Sequence, residues 1–259
     1  DGAVVSLGAL GILSRVTLDI EPTFDVRQDV YGGLTWKNLL ANFDAITARA
    51  YSVSIFTSWV GYSVGRVWLK SVLGERKPPQ SLYGATPEPA QRHPLDDHPT
   101  ENTTQQGGVP GPWLDRLPHF RLDAHPSSPN ELQSEYLVPR ERAIEALVAV
   151  RAFGDDIAPH LHVSELRTMS ADSLWLSGAY ETDALGIHFT WKHEPEAVLA
   201  LLPRLESVLY PLGARPHWGK LFHALPRENY QRLDDFVSLA HSMDPHGKFR
   251  NDFLNRFVF

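Results

Sequence analysis

The chain has 259 residues, 42% of them hydrophobic, a net charge of -7 and no cysteine. This length and apolar content allow one large core or two modest ones. The negative charge disfavours a nucleic-acid partner, because binding a phosphate backbone relies on clustered Lys and Arg. The lack of cysteine excludes disulfides, thiolate metal sites and cysteine nucleophiles, and no motif indicates another metal site.

The longest apolar run covers residues 4–13. It is far shorter than the roughly 20 residues that a membrane-spanning helix needs, and no charged leader precedes it. We therefore expect a cytoplasmic protein with no membrane partner.

Residues 4–20 begin glycine-rich and end in alternating β-branched residues, which predicts a strand closed by Glu21 and Pro22. Gly8 and Gly11 carry no Cβ, so backbone at this point can approach a flat or phosphorylated ligand closely. Plain tight packing is the alternative interpretation of the two glycines.

A helix and a strand pair are predicted next. Two strands over residues 51–57 and 66–72 are joined by a turn with two glycines, which favours an antiparallel pair. Before them, Thr35 is a suitable N-cap for a helix that places on one face Leu39, Leu40, Phe43 and Ile46.

Eleven prolines interrupt residues 77–130, and no hydrophobic period survives among them. A disordered linker is one interpretation. The aromatic residues between 111 and 121 favour the other, an ordered loop packed on the domain surface and lining a cleft.

Regular structure is predicted again from residue 131, in the order strand, helix, strand, strand, helix, strand. This is the βαββαβ order of a ferredoxin-like unit. The earlier helix and strand pair would add a partial second copy, so the fold class is α+β, with a wide antiparallel sheet and helices on one face. The six segments are residues 133–138, 139–153, 160–168, 185–191, 195–209 and 215–221.

Two of these strands place polar side chains on one face. Alternation puts Glu165 with Arg167 on one strand and His188 with Thr190 on the other, while the opposite faces are apolar. If the strands are neighbours, the four side chains converge into a patch that can bind a polyol. The alternative is a solvated ion pair on an open sheet, with Lys220 an ordinary surface lysine.

Four motifs, at residues 164–168, 188–191, 214–220 and 244–254, resemble those of the sugar-alcohol and aldonolactone oxidases, a branch of the vanillyl-alcohol-oxidase flavoprotein family. The likeness extends over essentially the whole chain. It implies a chain that is the substrate, or cap, domain of an FAD-dependent oxidase.

The resemblance also implies roles for individual residues. Arg167 and Lys220 would be catalytic cations that stabilise the developing alkoxide, with Lys220 also a conceivable general base. The implied substrate-binding residues are Glu165, Arg167, His188, Thr190 and Lys220. The implied FAD-binding residues are Ser6, Gly8, Gly11, Ile12 and His217.

The family carries a large FAD-binding module ahead of its substrate domain. The resemblance therefore implies that residues 1–22 end that module, residues 23–235 form the substrate domain, and residues 236–259 pack back on the module. The N-terminal FAD-binding half would be a partner, since the family's flavin-anchoring histidine has no counterpart here. This fragment alone is expected to be inactive.

The expected reaction takes a hydride from a primary alcohol of an alditol such as xylitol to flavin and then to O2, which gives hydrogen peroxide. An aldonolactone oxidase acting on gulono- or arabinono-1,4-lactone is the sibling alternative; Glu165 and Arg167 with His188 favour alditols. An alternative of another class is a non-catalytic polyol-binding fragment without flavin.

Overall fold

The computed structural model describes residues 1–95, 98–123 and 131–259. Within them the strands are β1 Asp25–Thr35, β2 Ser52–Thr57, β3 Ser63–Val72, β4 Thr86–Pro87, β5 Gly111–Pro112, β6 Leu132–Pro139, β7 Leu161–Met169, β8 Ala184–Trp191 and β9 Arg215–Pro216. The α-helices are α1 Trp36–Ala41, α2 Phe43–Thr47, α3 Ala143–Arg151, α4 Gly154–Ile157, α5 Pro195–Leu209, α6 Leu233–Met243 and α7 Asp252–Phe257.

All the strands join one antiparallel sheet in the order β4-β1-β3-β2-β7-β8-β6-β9, and β5 also pairs with β1. The stretch β7-β8-β6-β9 is the 2-3-1-4 strand order of the βαββαβ unit, as the sequence predicts. The stretch β1-β3-β2 repeats the first three strands, and β2 pairs with β7 where the two copies meet. The partial second copy is therefore confirmed.

The helices cover one face of the sheet, and the main core lies between them and the inward side chains. Leu166, Ile187 and Phe189 are all buried there, which confirms the apolar face predicted from alternation. Ser164 also points inward, and its hydroxyl accepts a hydrogen bond of 2.6 Å from the buried indole of Trp59. The opposite face of β7 and β8 is consequently left to polar side chains.

Several predicted helix boundaries need correction. Thr35 does cap α1, since its hydroxyl accepts from the Asn38 amide at 3.1 Å, but α1 ends at Ala41 and a separate α2 follows. The helix predicted over residues 139–153 begins as a 3-10 turn at Arg140–Arg142, and Gly154 opens α4 rather than ending α3. The predicted helix Pro195–Leu209 is continuous despite Pro203.

The strand predicted in residues 4–20 is wrong for this chain. No regular element covers residues 11–24, and Leu18 and Ile20 are 77% and 94% exposed. A strand needs a hydrogen-bonded neighbour, and none of the described strands pairs with this segment. The turn before it packs elsewhere: Ala9 is buried in a second core together with α6 and α7.

The extended segment predicted over residues 215–221 is also shorter than expected, with strand pairing only at Arg215–Pro216. Two backbone bonds still tie the rest to β6, from the His217 amide to the Glu135 carbonyl at 2.9 Å and from the Leu221 amide to the Gln133 carbonyl at 2.8 Å. The turn that follows β9 is thus held along the sheet.

The proline-rich segment is an ordered loop over its described part, as the aromatic content favours. The Gly108 amide donates to the Gln28 carbonyl on β1 at 2.9 Å, and the Thr104 amide donates to the His119 carbonyl at 3.0 Å. The loop lies over the polar face of the sheet, and residues 96–97 and 124–130 fall outside the described part.

Candidate functional site

A row of three ionisable side chains crosses the polar face of the sheet. His188 on β8 lies directly opposite Glu165 on β7 and opposite Glu135 on β6. All three residues are less than a tenth exposed. Side chains at opposed positions of antiparallel strands lie within contact distance, so the two carboxylates flank the imidazole.

Arg167 reaches across β8 to the far carboxylate. Its Nη2 donates to both Glu135 oxygens, at 2.9 and 3.1 Å, and its Nη1 lies 3.5 Å from Glu165 Oε2. Gly186 stands opposite Arg167 in the register. A Cβ on Gly186 would lie 3.1 Å from Glu135 Oε1 and 3.6 Å from Arg167 Cγ, so the glycine opens the path for this contact.

Lys220 approaches the same carboxylate from the turn after β9. Its Nζ donates to Glu135 Oε2 at 2.5 Å and to His188 Nδ1 at 2.8 Å. With Nδ1 accepting, the imidazole proton lies on Nε2 and is donated to the Thr190 hydroxyl at 3.1 Å. The Thr190 hydroxyl keeps its own proton for a further acceptor.

Glu135 therefore binds both cations of the site. Burial works to raise the pKa of this carboxyl, but the charges of Arg167 and Lys220 and the hydrogen bond from Lys220 outweigh it and hold the pKa well below its usual range. The structure thus brings together all five predicted substrate-binding residues, which are Glu165, Arg167, His188, Thr190 and Lys220.

Sequence reasoning missed Glu135 and Gly186. Glu135 lies in the predicted strand 133–138, but the sequence of that strand does not show that it pairs with β8. A glutamate alternating with buried Ser134 and Tyr136 was the signal that could have found it. For Gly186, only the strand register shows that the missing side chain lets Arg167 reach Glu135.

Two further ionisable residues lie behind Glu165. His119, from the proline-rich loop, places Nε2 3.0 Å from Glu165 Oε1, and its Nδ1 lies 3.2 Å from Lys70 Nζ. Lys70 on β3 is 1% exposed, and its burial lowers the pKa of the ammonium to about 7 despite the nearby Glu165 charge. Neither residue belongs to a recognised motif, and the loop register that pairs them was not readable from the sequence.

A cavity of about 590 Å³ opens in front of this row, between the proline-rich loop and the sheet. Phe56 and Phe120 supply apolar wall, while Glu165, His188 and Thr190 face the space. A concave site with apolar walls and a few convergent polar groups is the usual form of a small-molecule pocket.

The predicted FAD-binding residues lie around the second core. Ala9, between the two glycines, is buried in the cluster against which Trp218 packs, so the turn is placed on the side of His217 and Lys220. Gly8 and Gly11 have φ values of 76° and 125°, and a Cβ on Gly8 would meet no atom within 4 Å. This uncrowded backbone fits a flat ligand.

The other predicted cofactor residues are accessible. Ile12 is 85% exposed, Ser6 is half-buried, and its carbonyl accepts from the Ala9 amide at 2.8 Å. His217 is exposed, and partial burial followed by the Lys220 charge lowers the pKa of its imidazole. No contact here identifies a ligand for these residues, so their role stays a prediction.

Across the residues that the structure describes, no group of three His, Asp or Glu side chains is arranged to hold a metal ion. In the same residues no helix has the length and apolar content that crossing a membrane requires.

The buried Lys70 should make stability depend on pH. Its pKa is about 7 in the fold and 10.5 ordinarily, so between these pH values the unfolded chain binds more protons and stability rises with pH. The stability that Lys70→Met gains over wild type should therefore be largest at low pH. This difference in the free energy of unfolding should shrink by roughly 2–3 kcal/mol between about pH 6 and about pH 9.

Denaturant unfolding at the two pH values measures this change. The exposed Lys37 gives a matched control, because Lys37→Met should show a pH-independent difference from wild type. A pH-independent difference for Lys70→Met as well would mean that the buried ammonium carries no shifted pKa.

The chain matches known proteins in sequence and fold. Residues 129–257 match the family model described as D-arabinono-1,4-lactone oxidase. Over 98% of its length the chain is 46% identical to an alditol oxidase from Streptomyces sp., and it spans 61% of that relative. It is 31% identical, over 49% of its length and 30% of the relative's, to an L-gulono-1,4-lactone dehydrogenase from Mycobacterium tuberculosis.

Among solved structures, a solvent-stable cholesterol oxidase superposes with a TM-score of 0.64 at 11% identity, over 92% of this chain and 60% of the other. That likeness concerns the fold alone, and it confirms the α+β class. The sequence matches carry the relationship: residues 129–257 match the D-arabinono-1,4-lactone oxidase family model, and the 46% identity to an alditol oxidase extends over 98% of the chain.

Proposed function

We propose that the chain is the substrate domain of an FAD-dependent alditol oxidase. The observation that carries the proposal is a set of five polar side chains on one sheet face: Arg167 and Lys220 bind Glu135, and Glu165, His188 and Thr190 line the cavity. The 46% identity to an alditol oxidase over 98% of the chain supports it. We expect the enzyme in the cytoplasm.

The residues fit a flavin at the edge of this site. The open backbone at Gly8 and Gly11, the adjacent Ser6 and Ile12, and the exposed His217 would contact FAD. When bound, FAD supplies a hydride acceptor for the carbinol carbon and passes the electrons to dioxygen, which gives hydrogen peroxide.

Arg167 and Lys220 would stabilise the alkoxide that develops as the hydroxyl proton leaves. The Arg167 side chain is 38% exposed while Glu135 beneath it is 2% exposed, so the guanidinium faces the site and its counter-charge stays buried. Cations fixed in advance in a partly desolvated site are effective stabilisers of such charge. The contact of Lys220 Nζ with the Glu135 carboxylate fits a charge-stabilising role.

The remaining polar groups suit a chain of hydroxyls. Thr190 has a free hydroxyl proton to donate, and Glu165 Oε2 is available to accept. Buried groups built to hydrogen-bond hydroxyls reject substrates that lack them more strongly than an apolar pocket does. We therefore expect polyols to be preferred over simple alcohols.

We also propose that residues 1–22 and 236–259 belong with an FAD-binding module. Ala9 and Leu254 share the second core, and Leu18 and Ile20 are exposed apolar side chains that a partner domain would cover. The chain spans about 61% of its alditol oxidase relative, so the activity is proposed for the longer protein and not for this fragment alone.

An aldonolactone oxidase is the second candidate, favoured by the description of the matching family and by the L-gulono-1,4-lactone dehydrogenase relative. Turnover of xylitol and of L-gulono-1,4-lactone by the full-length flavoprotein, measured side by side as peroxide release, separates the two. We expect xylitol to react with the higher kcat/KM, because Glu165 and Thr190 match open-chain hydroxyls. Activity on the lactone alone would overturn the alditol assignment.

The same purified protein also tests the third candidate, a polyol-binding fragment without flavin. Purified full-length protein should carry the visible absorption of flavin. Colourless protein that still binds xylitol in a calorimeter would favour the binding fragment.

The Arg167–Glu135 contact across Gly186 can be tested by substituting the glycine. Gly186→Val should place methyl groups between Arg167 and Glu135 and lower kcat/KM for xylitol by about 100-fold, because small displacements of positioning groups are costly. Gly186→Ala adds a single carbon and should lower kcat/KM by a smaller factor. Flavin content serves as the folding control, and a wild-type rate in the Val variant would show that the Arg167 contact is dispensable.

A further inference from the structure

Behind the proposed substrate-binding side chains lies a line of three ionisable residues, Lys70, His119 and Glu165. Lys70 is almost fully buried on β3, donates to the Leu117 carbonyl and lies 3.2 Å from His119 Nδ1. His119 then lies 3.0 Å from Glu165 through its other nitrogen. The proposed reaction assigns no role to the first two residues.

The partners of His119 fix which nitrogen carries its proton. The Lys70 amine has N–H bonds whether or not it is charged, and two of them suffice for the Leu117 carbonyl and for His119 Nδ1. The ionised Glu165 carboxylate can only accept, so Nε2 carries the ring proton and donates to Oε1, and Nδ1 of the neutral ring accepts from Lys70.

The imidazole ring is also held in place from its sides. Phe56 and Trp68 pack edge-on against it with ring centroids at 5.3 and 5.1 Å. The Ser54 hydroxyl lies 3.4 Å from Nε2, on the same side as Glu165. A ring confined in this way directs its N–H bond at one carboxylate oxygen.

This contact leaves Glu165 with one committed and one available oxygen. Oε1 accepts from His119, while Oε2 lies 3.5 Å from Arg167 Nη1. Burial works to raise the pKa of Glu165, but the hydrogen bond from His119 and the charge of Arg167 outweigh it and hold the pKa at about 2. The carboxylate is thus ionised and can accept.

We propose that His119, oriented by Lys70, is a positioning residue that fixes the Glu165 carboxylate so that Oε2 accepts a hydroxyl of the polyol. This inference rests on the proposed oxidase function. It adds a loop residue and a strand residue to the determinants of substrate binding, neither of which touches the reacting atoms.

Two amide substitutions separate the two nitrogens of His119. A Gln side chain can put its amide N–H near the position of Nε2, whereas Asn reaches only as far as Nδ1. In the full-length flavoenzyme, His119→Asn should lower kcat/KM for xylitol by roughly 10- to 100-fold, and His119→Gln should restore most of the loss. His162 is exposed on the same strand as Glu165, so His162→Asn should be unchanged.

A double-mutant cycle tests whether His119 acts through Glu165. In a Glu165→Gln background, His119→Asn should add at most about a two-fold further loss, because interacting residues are not additive. If the losses of the two single variants multiply in full in the double variant, the proposal is overturned. Equal activity of His119→Asn and His119→Gln would also overturn it.

A spectroscopic readout keeps the inference separable from the oxidase proposal. The ¹⁵N spectrum of the full-length protein should show the His119 proton on Nε2, and in Lys70→Met the two tautomers should mix. A proton on Nδ1 in the wild type would overturn the inference whatever the enzyme oxidises. Failure of the wild type to oxidise xylitol or lactone would instead reject the proposed function and, with it, the role assigned to Glu165.

Discussion

The site depends on one buried carboxylate, that of Glu135. Its side chain is 2% exposed, yet it binds Arg167 at 2.9 Å and Lys220 at 2.5 Å from two different elements of the fold. A buried charge is tolerated only when it is paired, and removing one partner of such a pair is strongly destabilising. Glu135 and its two cations are therefore interdependent, and together they set where positive charge lies beside His188 and Glu165.

The sheet supplies the geometry that this pairing needs. Strand order places β8 between β7 and β6, so Glu165 and Glu135 flank His188 in one row. Gly186 leaves room for Arg167 to cross the middle strand. The opposite face of the same strands packs against the helices, so a change of register would move core and site side chains together.

Local patterns in the sequence predicted much of this arrangement. The period of two placed Glu165 with Arg167 and His188 with Thr190, because each pair sits on a single strand. The roles predicted for Lys220 and for the glycine turn at residues 8–11 came from the resemblance to known oxidases. Strand and helix types were correct from residue 131 to residue 209, and the ends shifted where backbone caps and 3-10 turns decided them.

The rest required information that no single segment contains. Glu135 and Gly186 matter through pairing with other strands, and His119 and Lys70 meet only because the proline-rich loop folds back over β3. The predicted strand ending near Ile20 failed for a related reason: its pattern is that of a strand, but no described strand of this chain offers it an edge.

The central claim is that Glu135 holds in place Arg167 and Lys220, the two cations proposed to be catalytic. The most direct measurement is the rate at which xylitol reduces the flavin of the full-length enzyme carrying Glu135→Gln, with flavin content checked in parallel. The amide cannot balance two positive charges, so we expect the rate per bound flavin to fall by about 100-fold. A wild-type rate in this variant would contradict the claim, since Arg167 and Lys220 would then be positioned without it.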